Sequence, residues 1–298
     1  MFGGSTLFAK EVKKTLSKDF KTNSSTVISM DTKFSELTVE TWNKNEASFE
    51  VTIVVDHDDE AKAKKMLDLL NVEFDKDGNE ITVETVMSEK FSKTDWGKTK
   101  TFKFIILAKI PASVNFELEN SLGKVEIGDL TGKVDIESNL GSVGINSLTG
   151  ESTLTFNLDD ARIGFIKSGD IQLNLGKLNI DEAGDIDITM GKGNCQINKV
   201  VNLTAEVNMG DLIVDELDAK FESLSIESAM GNVEIGINKD AGFTLSSEMS
   251  MGKLTIPKLD KQVKDKEGMN TSVEGTYGNG RSSVEIEGSM GSVSIKIK

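Results

Sequence analysis

One short phrase recurs through the second half of the chain: a Leu or Met, then a Gly, then an alternating pair of apolar residues. With two degenerate copies, which carry Asp159 and Gly193 at the glycine position, successive glycine positions lie 18, 18, 17, 17, 17, 21, 21 and 39 residues apart. A period of about 20 residues is typical of a solenoid, in which each repeat buries its apolar face only against its neighbours. The full copies span 121–127, 139–145, 174–180, 208–214, 229–235, 250–256 and 289–295.

Each repeat can be written as two short strands and two corners, here called a coil. In the clearest coil, Val134 and Ile136 point inward, and Leu140 fills the corner before Gly141. A corner packed against the next coil needs a positive φ or no Cβ, which favours glycine. Asp is tolerated at 159 because it also visits that region. We therefore predict an all-β fold, a single-chain β-solenoid over 112–298 with about nine coils, right-handed as strand twist favours.

The same alternation predicts that the single cysteine, Cys195, is a core residue. The methionines that precede a glycine are also predicted to fill the core at inward corners, a role that suits their flexible side chains. A ladder of thioethers for a soft metal is the alternative interpretation, and the inward positions argue against it. These methionines are Met190, Met209, Met230, Met251 and Met290.

The first part of the chain has a different pattern. Over 24–111, alternating apolar residues predict a strand-rich entry module that caps the open edge of the solenoid. It contains one helix near 58–70, with acids at its N-terminal end. Residues 1–23 are predicted to be a disordered lead-in, either the remnant of a trimmed export signal or an ordinary terminus.

The repeat is interrupted after Pro257. Residues 257–281 form a polar excursion, which we interpret as a short helix or a mobile loop. The last repeat then ends with Lys296 and Lys298, and lysines on a final strand are typical of an exposed sheet edge.

Composition excludes several classes of function. The formal net charge of −15 repels phosphate backbones, which argues against nucleic-acid binding. No run approaches the ~18 apolar residues of a membrane span, so we predict no transmembrane segment. The one cysteine forms no intramolecular disulfide and lacks the spacing of a metal-binding pair.

No catalytic, cofactor or metal site emerges from the residues. His57 lies among three aspartates but has no second ligand at metal spacing, so we interpret it as part of a solvated helix cap. The stretch 75–79 resembles the start of a calcium loop but lacks the distal Glu, which favours a hairpin turn. Acids recur near the corners at irregular offsets, which favours a solvated face and leaves weak calcium binding open: Asp129, Asp160, Asp170, Asp181, Asp185, Asp211 and Asp215.

Several motifs, taken in order, carry a family resemblance. They are 40–45 after an entry strand, Ile110-Pro111-Ala112, Gly128 through Val134, and Tyr277-Gly278-Asn279-Gly280 followed by Ser289-Met290-Gly291. Over about 24–297 the chain resembles the putative-adhesin family of β-strand-repeat proteins, a class of domain with unassigned function. The resemblance implies an exported, envelope-associated protein with a β-helical body, and it supplies no catalytic residue.

Three hypotheses follow. The first is a non-enzymatic envelope or cell-surface protein that binds a surface glycan or protein through outward side chains of the repeats. The second is a self-assembling scaffold similar to bactofilins, and the third is a carbohydrate-active β-helix enzyme. The ligand and the oligomeric state are not encoded in any motif. The outward side chains considered for the first hypothesis are Lys124, Ser142, Lys177, Asn194, Asp211, Asn232 and Lys253.

Overall fold

The computed structural model describes residues 10–91 and 99–298. Within these residues the fold is all-β with one short helix, as predicted. The chain divides into two compact units. Unit one comprises the described residues through Gly132 together with Leu140–Ser142, and unit two comprises Lys133–Asn139 and Val143–Lys298. The first unit therefore continues beyond residue 111, where the alternating strand pattern placed the boundary.

Unit one contains nine strands and the helix in its described residues. In chain order they are β1 (Lys10–Lys21), β2 (Val27–Thr32), β3 (Ser35–Trp42), β4 (Glu46–His57), α1 (Glu60–Leu67), β5 (Leu70–Asp77), β6 (Glu80–Met87), β7 (Thr99–Pro111), β8 (Asn115–Asn120) and β9 (Gly123–Leu130).

The strands of unit one do not stack in chain order. β2 pairs in parallel with both β6 and β8, and β3 pairs in parallel with both β7 and β9. β2 therefore lies between β6 and β8, and β3 lies between β7 and β9, although all four of these neighbours follow them in the sequence. β4 pairs antiparallel with β7 on one side and with β1 on the other.

Strand β1 corrects the predicted lead-in. Residues 10–21 pair with β4 along their whole length, from Lys10 opposite His57 to Lys21 opposite Glu46. Their polar composition reflects an edge strand, where lysines protect the unpaired backbone groups of one side. Residues 1–9, where the remnant of a signal was predicted, lie outside the described residues.

The helix and the first hairpin form where they were predicted. Asp59 is the N-cap of α1, and its carboxylate accepts the backbone N–H groups of Ala61 and Lys62 at 2.9 and 3.2 Å. The apolar stripe of the helix faces the core, with Ala63, Met66 and Leu67 buried. β5 and β6 then pair antiparallel around a turn at Gly78.

Unit two contains most of β11 and the remaining strands. In chain order they are β10 (Val134–Ser138), β11 (Gly141–Phe156), β12 (Asp159–Leu217), β13 (Ser223–Ser228), β14 (Asn232–Ile237), β15 (Phe243–Met249), β16 (Lys253–Thr255), β17 (Asp260–Glu267), β18 (Asn270–Tyr277), β19 (Ser282–Gly288) and β20 (Ser292–Ile297).

Successive coils stack in chain order through β10–β12. β10 pairs in parallel with β11, Val134 opposite Ser152. Within β12 the corner glycines mark the same stacking. Gly210 has φ +115°, and a Cβ there would lie 1.8 Å from the carbonyl oxygen of Gly193, one period earlier. Only a glycine fits such an approach, which confirms the predicted reason for the repeated Gly.

The order changes after β12. β19 pairs in parallel with β13 on one side and with β15 on the other, and β20 likewise pairs with β14 and β16. The last coil of the chain is therefore inserted between the two coils that precede it. β20 has a paired strand on both sides over Ser292–Ser294, whereas Lys296, which was predicted to mark an exposed edge, lies opposite Gly236 in the part of β20 that pairs with β14 alone. That lysine pairs with Glu234 of the neighbouring strand.

The polar excursion is a hairpin, neither a helix nor a mobile loop. β17 and β18 pair antiparallel, and β18 also pairs antiparallel with β15. All eight residues of β17 are exposed, so a charged strand forms the outer edge there. The alternation that identifies a half-buried strand is missing in β17 because neither of its faces is covered.

The core of unit two follows the predicted alternation, but its corners do not. Val134, Ile136 and Cys195 are buried as predicted. The Leu or Met before each corner glycine points outward instead. Leu175 of unit two is exposed, and so is Leu140, which belongs to unit one. The inner positions near the corner are already occupied by the strand residues on either side, so the residue that precedes the glycine turns to solvent.

Asp159 also differs from its prediction. Its backbone does not have a positive φ, and its side chain is buried. The hydroxyl of Ser138 donates to Asp159 Oδ1 at 3.1 Å, while Oδ2 is buried with no hydrogen-bond partner in the described part of the chain. Burial raises the pKa of this carboxyl.

Candidate functional site

A polar groove runs along one face of unit two. It encloses a volume of about 650 Å³. The side chains around it are mainly carboxylates and hydroxyls, contributed by equivalent positions of successive coils. Its lining is Lys133, Glu151, Ser152, Thr153, Ser168, Gly169, Asp170, Asp185, Ile186, Asp187, Asn202, Leu203, Thr204 and Ser223.

Two small residues explain why this part of the face is concave. Ser152 and Gly169 lie one period apart, at positions where neighbouring coils carry Val134, Ile186 and Leu203. A Cβ on Gly169 would lie 2.5 Å from the carbonyl oxygen of Ser152, so the backbone approaches the previous coil closely. The outward rows on either side of these residues then form the walls of the groove.

The walls of the polar groove are mainly acidic. Asp170 and Asp187 are exposed on one wall, and Asp185 lies on the other, where it accepts the amide of Asn202 at 2.6 Å. The amide oxygen of Asn202 in turn accepts the backbone N–H of Glu222 at 2.7 Å. These contacts hold the polar groups on paired strands, so the groove is pre-formed.

A second, acidic groove of about 310 Å³ lies in the same unit. Four exposed glutamates on adjacent strands line it in register: Glu206 opposite Glu227, Glu227 opposite Glu287, and Glu287 opposite Glu248. We call these residues the glutamate row. Sequence reasoning missed them, although a signal exists: in each case the glutamate lies three residues before a Met-Gly pair.

The methionines of these pairs are exposed, contrary to prediction. Met209, Met230, Met251 and Met290 point to solvent, whereas Met190 is buried as predicted. Met190 differs because its coil turns at Gly193, two residues beyond the Met-Gly pair. The argument that placed these thioethers in the core therefore holds for one of the five.

His57 is buried, so the solvated environment that we predicted for it was wrong. Its Nδ1 accepts the backbone N–H of Asp59 at 2.8 Å, which places it at the start of α1 as part of the cap. Among the described residues, no three His, Cys, Asp or Glu side chains are grouped so that they could hold a metal ion.

The acids near the corners do not form one ladder. Asp170 and Asp185 line the polar groove, whereas Asp181 accepts the guanidinium of Arg162 at 2.9 Å. Asp211 accepts the amide of Asn232 at 3.0 Å. The other outward side chains considered above remain dispersed, and of these Lys124 pairs with Glu126 at 3.1 Å.

Cys195 offers no reactive thiol. Its side chain is buried, and burial raises its thiol pKa to about 12. Since the thiolate is the nucleophile and the metal ligand, a thiol that stays protonated at neutral pH is inert. As for membranes, no helix in the described ranges has the length and apolarity of a bilayer span.

Comparisons with known proteins identify the family. A model of the Toastrack DUF4097 family matches residues 19–296. Among solved structures, the chain is similar to a putative adhesin from Bacteroides fragilis, with 12% identity over 95% of this chain and 97% of that chain, at a TM-score of 0.39. It is also similar to a putative cell adhesion protein from Clostridium sporogenes, with 11% identity over 96% and 100%, at 0.23.

A third solved structure is a putative lipid binding protein from Parabacteroides distasonis, with 13% identity over 95% of this chain and 96% of that chain, at a TM-score of 0.31. No curated protein matches the chain. Identities and TM-scores this low carry no argument about what the chain binds.

Proposed function

The chain belongs to the Toastrack DUF4097 family, and from that premise we propose that it is a non-enzymatic binding module of the cell envelope or cell surface. The family match agrees with the resemblance that the order of its motifs predicted. The polar groove of unit two carries the proposal, because it presents carboxylates, hydroxyls and an amide from fixed positions on paired strands. Pre-formed polar sites of this kind bind without first ordering a loop.

The charges of the groove define the ligand class. Glu151, Asp170, Asp185 and Asp187 outnumber Lys133, the one basic residue in the lining. A ligand with anionic groups would be repelled, while a neutral or basic one would not. We therefore expect a neutral or amino-substituted surface glycan, whose hydroxyls match the carboxylates and the serine and threonine hydroxyls. A protein surface is the other outcome that the binding test distinguishes.

The composition of the groove favours binding over hydrolysis. Carbohydrate-active enzymes need a carboxylate pair at a defined separation and bind sugar rings on aromatic side chains. The described lining has acids but no aromatic residue and no histidine. An enzyme in this groove would also need a water or a substrate held between two carboxylates, and no contact in the lining selects such a pair.

A self-assembling scaffold is less consistent with the strand edges. β1 carries five lysines, and β17 exposes eight mostly charged or polar residues. Charged edge strands oppose pairing with another chain. Light scattering at high concentration tests this alternative, because a scaffold should grow with concentration while the proposed binding module should not.

The location and the winding belong to the same proposal. An extracytoplasmic position, in the periplasm, at the envelope or secreted, rests on the resemblance of the chain to envelope-associated repeat proteins. Right-handed winding through about nine coils rests on the repeat period and on the usual twist of strands. Fractionation tests the location, since an extracytoplasmic chain should be found in the medium, in the periplasmic extract or on protease-treated spheroplasts, and should be absent from the cytoplasmic fraction.

Glycan-array and whole-envelope binding test the function. Thr204→Lys should block the polar groove and reduce binding about tenfold or more, an effect of about 1.4 kcal/mol. Asn194→Lys adds the same side chain to an exposed position of β12 that does not line the groove, and should leave binding unchanged. Circular dichroism should show both variants folded.

Two outcomes refine or contradict the proposal. Loss of binding on calcium chelation would support weak calcium binding at the acidic corners. Saturable binding that Thr204→Lys leaves unchanged would exclude the groove as the site. Release of new reducing ends or unsaturated products from a polysaccharide would contradict a non-enzymatic role.

A further inference from the structure

Four of the exposed methionines, Met209, Met230, Met251 and Met290, form a continuous row in unit two. Their exposed fractions lie between 39% and 59%. Each of the last three is bonded through its backbone N–H to a backbone carbonyl oxygen of the neighbouring coil. Met230 donates to Asn208 at 3.0 Å, Met290 donates to Ala229 at 2.7 Å, and Met251 donates to Ser289 at 2.7 Å. These bonds place the methionines on successive coils. In spatial order the methionine row is Met209, Met230, Met290 and Met251.

Packing does not explain why these residues are methionines. Leu158 and Leu175 occupy the same position before the corner in earlier coils of unit two, and both are similarly exposed. The corner therefore accepts a leucine. What a methionine adds to an exposed position is a flexible side chain and a polarizable thioether sulfur, which is a soft metal ligand.

The glutamate row runs beside the methionine row. Each glutamate precedes its methionine by three residues, and together with Asn208, Ser250 and Ser289 these glutamates line the acidic groove. Four carboxylates on adjacent strands create a negative potential along the groove, which raises the local concentration of cations. A positive ion that reaches the groove is then on the same coils as the thioethers, each of which follows its glutamate by three residues.

We propose that the methionine row binds a soft monovalent metal ion, Cu(I) or its chemical analogue Ag(I), through thioethers of adjacent coils. Neighbouring strands lie about 4.8 Å apart, so two flexible thioethers on successive coils can converge on one ion. Thioethers select Cu(I), whereas carboxylates and water suit calcium and magnesium. The glutamate row attracts the ion, and the sulfur atoms determine which ion stays. This site is separate from the polar groove.

Anaerobic titration of the full chain with Cu(I), in competition with a chromophoric Cu(I) chelator, measures the affinity. Ag(I) serves as a redox-inert probe, with the methionine ε-methyl resonances as the second readout. The wild type should take up metal, and the methyl signals of Met230 and Met290 should shift. The signal of Met269, an exposed methionine in the β17–β18 turn, should not.

Substitution by leucine is the decisive variant. Met230→Leu with Met290→Leu should weaken Cu(I) binding at least about tenfold, the loss that even an outer-shell change commonly causes. The melting temperature should stay near that of the wild type, since leucine occupies equivalent corners. Met269→Leu is the matched control and should leave the affinity unchanged.

Three results would overturn the proposal. The wild type fails to compete with the chelator for Cu(I), or the double leucine variant binds as tightly as the wild type. In the third, Glu227→Gln with Glu287→Gln abolishes binding while the leucine variant retains it, which would assign the ion to the carboxylates. A role of the row as a purely apolar contact surface predicts the first result.

Discussion

The two parts of unit two differ in how chain order relates to spatial order. Through β10–β12, each coil packs on the coil before it, 17 or 18 residues away in sequence. From β13 to β20, the coil that contains β19 and β20 packs between two earlier coils, with register partners 60 residues away on one side and 39 on the other. The same repeated phrase serves both arrangements. It therefore encodes a corner and does not encode which coil lies next to it.

Unit one contains a comparable insertion near the start of the chain. There the early strands β2 and β3 lie between strands that come later. In each unit a strand pair from one end of the chain is held on both sides. A segment that is paired on both sides is fixed more firmly than one that forms an edge.

Removal of the inserted coil should have the largest effect. Deleting Ser282–Lys298 removes four buried apolar side chains, Val284, Ile286, Val293 and Ile295. Their burial contributes on the order of 10 kcal/mol, comparable to the whole stability of a typical domain. Thermal unfolding by circular dichroism should lose its cooperative transition for unit two. A truncated chain that melts close to the wild type would mean that this coil is at an edge.

Substitution of a corner glycine should cause the next largest loss of stability. Gly210→Ala places a Cβ 1.8 Å from a backbone oxygen at φ +115°, so the backbone must shift, at a cost of about 2–4 kcal/mol. Gly268→Ala is the control, with φ +61° and no atom within 4 Å, and should cost about 1 kcal/mol. Chemical denaturation measures both. Equal costs would show that stacking does not constrain the corner.

Substitution of Asp159, the first residue of β12, should cause a smaller change in stability that depends on pH. Burial raises its pKa above the ordinary 3.8, so the folded state holds the proton more tightly than the unfolded state. Stability is therefore highest below the unfolded pKa and declines as pH rises through the folded pKa. Asp159→Asn keeps the acceptor for Ser138 and should raise the melting temperature by a few degrees at pH 7 but not at pH 3. The same gain at both values would contradict an electrostatic cause.

Substitution within the glutamate row should cause the smallest change in stability. Glu287 lies between two like charges, Glu227 and Glu248, so Glu287→Gln should stabilise the fold by about 0.5 kcal/mol at low salt and less in 1 M salt. Glu50→Gln is the control, because its register partners on both sides, Ser17 in β1 and Leu107 in β7, are uncharged. Denaturation at the two salt concentrations checks both. A gain that salt leaves unchanged would not be repulsion between charges.

Local features were predictable from the sequence because they depend on near neighbours. The helix at 60–67, the hairpin turn at Gly78, the inward alternation of Val134 and Ile136, and the buried Cys195 all follow from patterns within a few residues. Each rests on a periodicity or a cap that operates inside one element.

The features that were missed depend on how the coils are placed. Hydrophobicity does not distinguish inside from outside where the chain turns, so Leu140 and Met230 were assigned to the core. The inserted coil determines the order of the glutamate row, in which Glu287 lies between Glu227 and Glu248, and that order is not the order of the sequence. The polar groove depends on the small pair Ser152 and Gly169, whose effect appears only when their coils stack.

Cross-linking tests the inserted coil most directly, and the order within the methionine and glutamate rows depends on it. Glu227→Cys with Glu287→Cys places two thiols on paired strands about 4.8 Å apart, within disulfide range, whereas Glu227→Cys with Glu248→Cys places them two strands apart. Cys195 does not interfere, because it is buried and its thiol pKa is raised to about 12. We predict that mild oxidation links the first pair and leaves the second free. Linkage of the second pair but not the first would mean that the coils stack in chain order, and it would contradict the account.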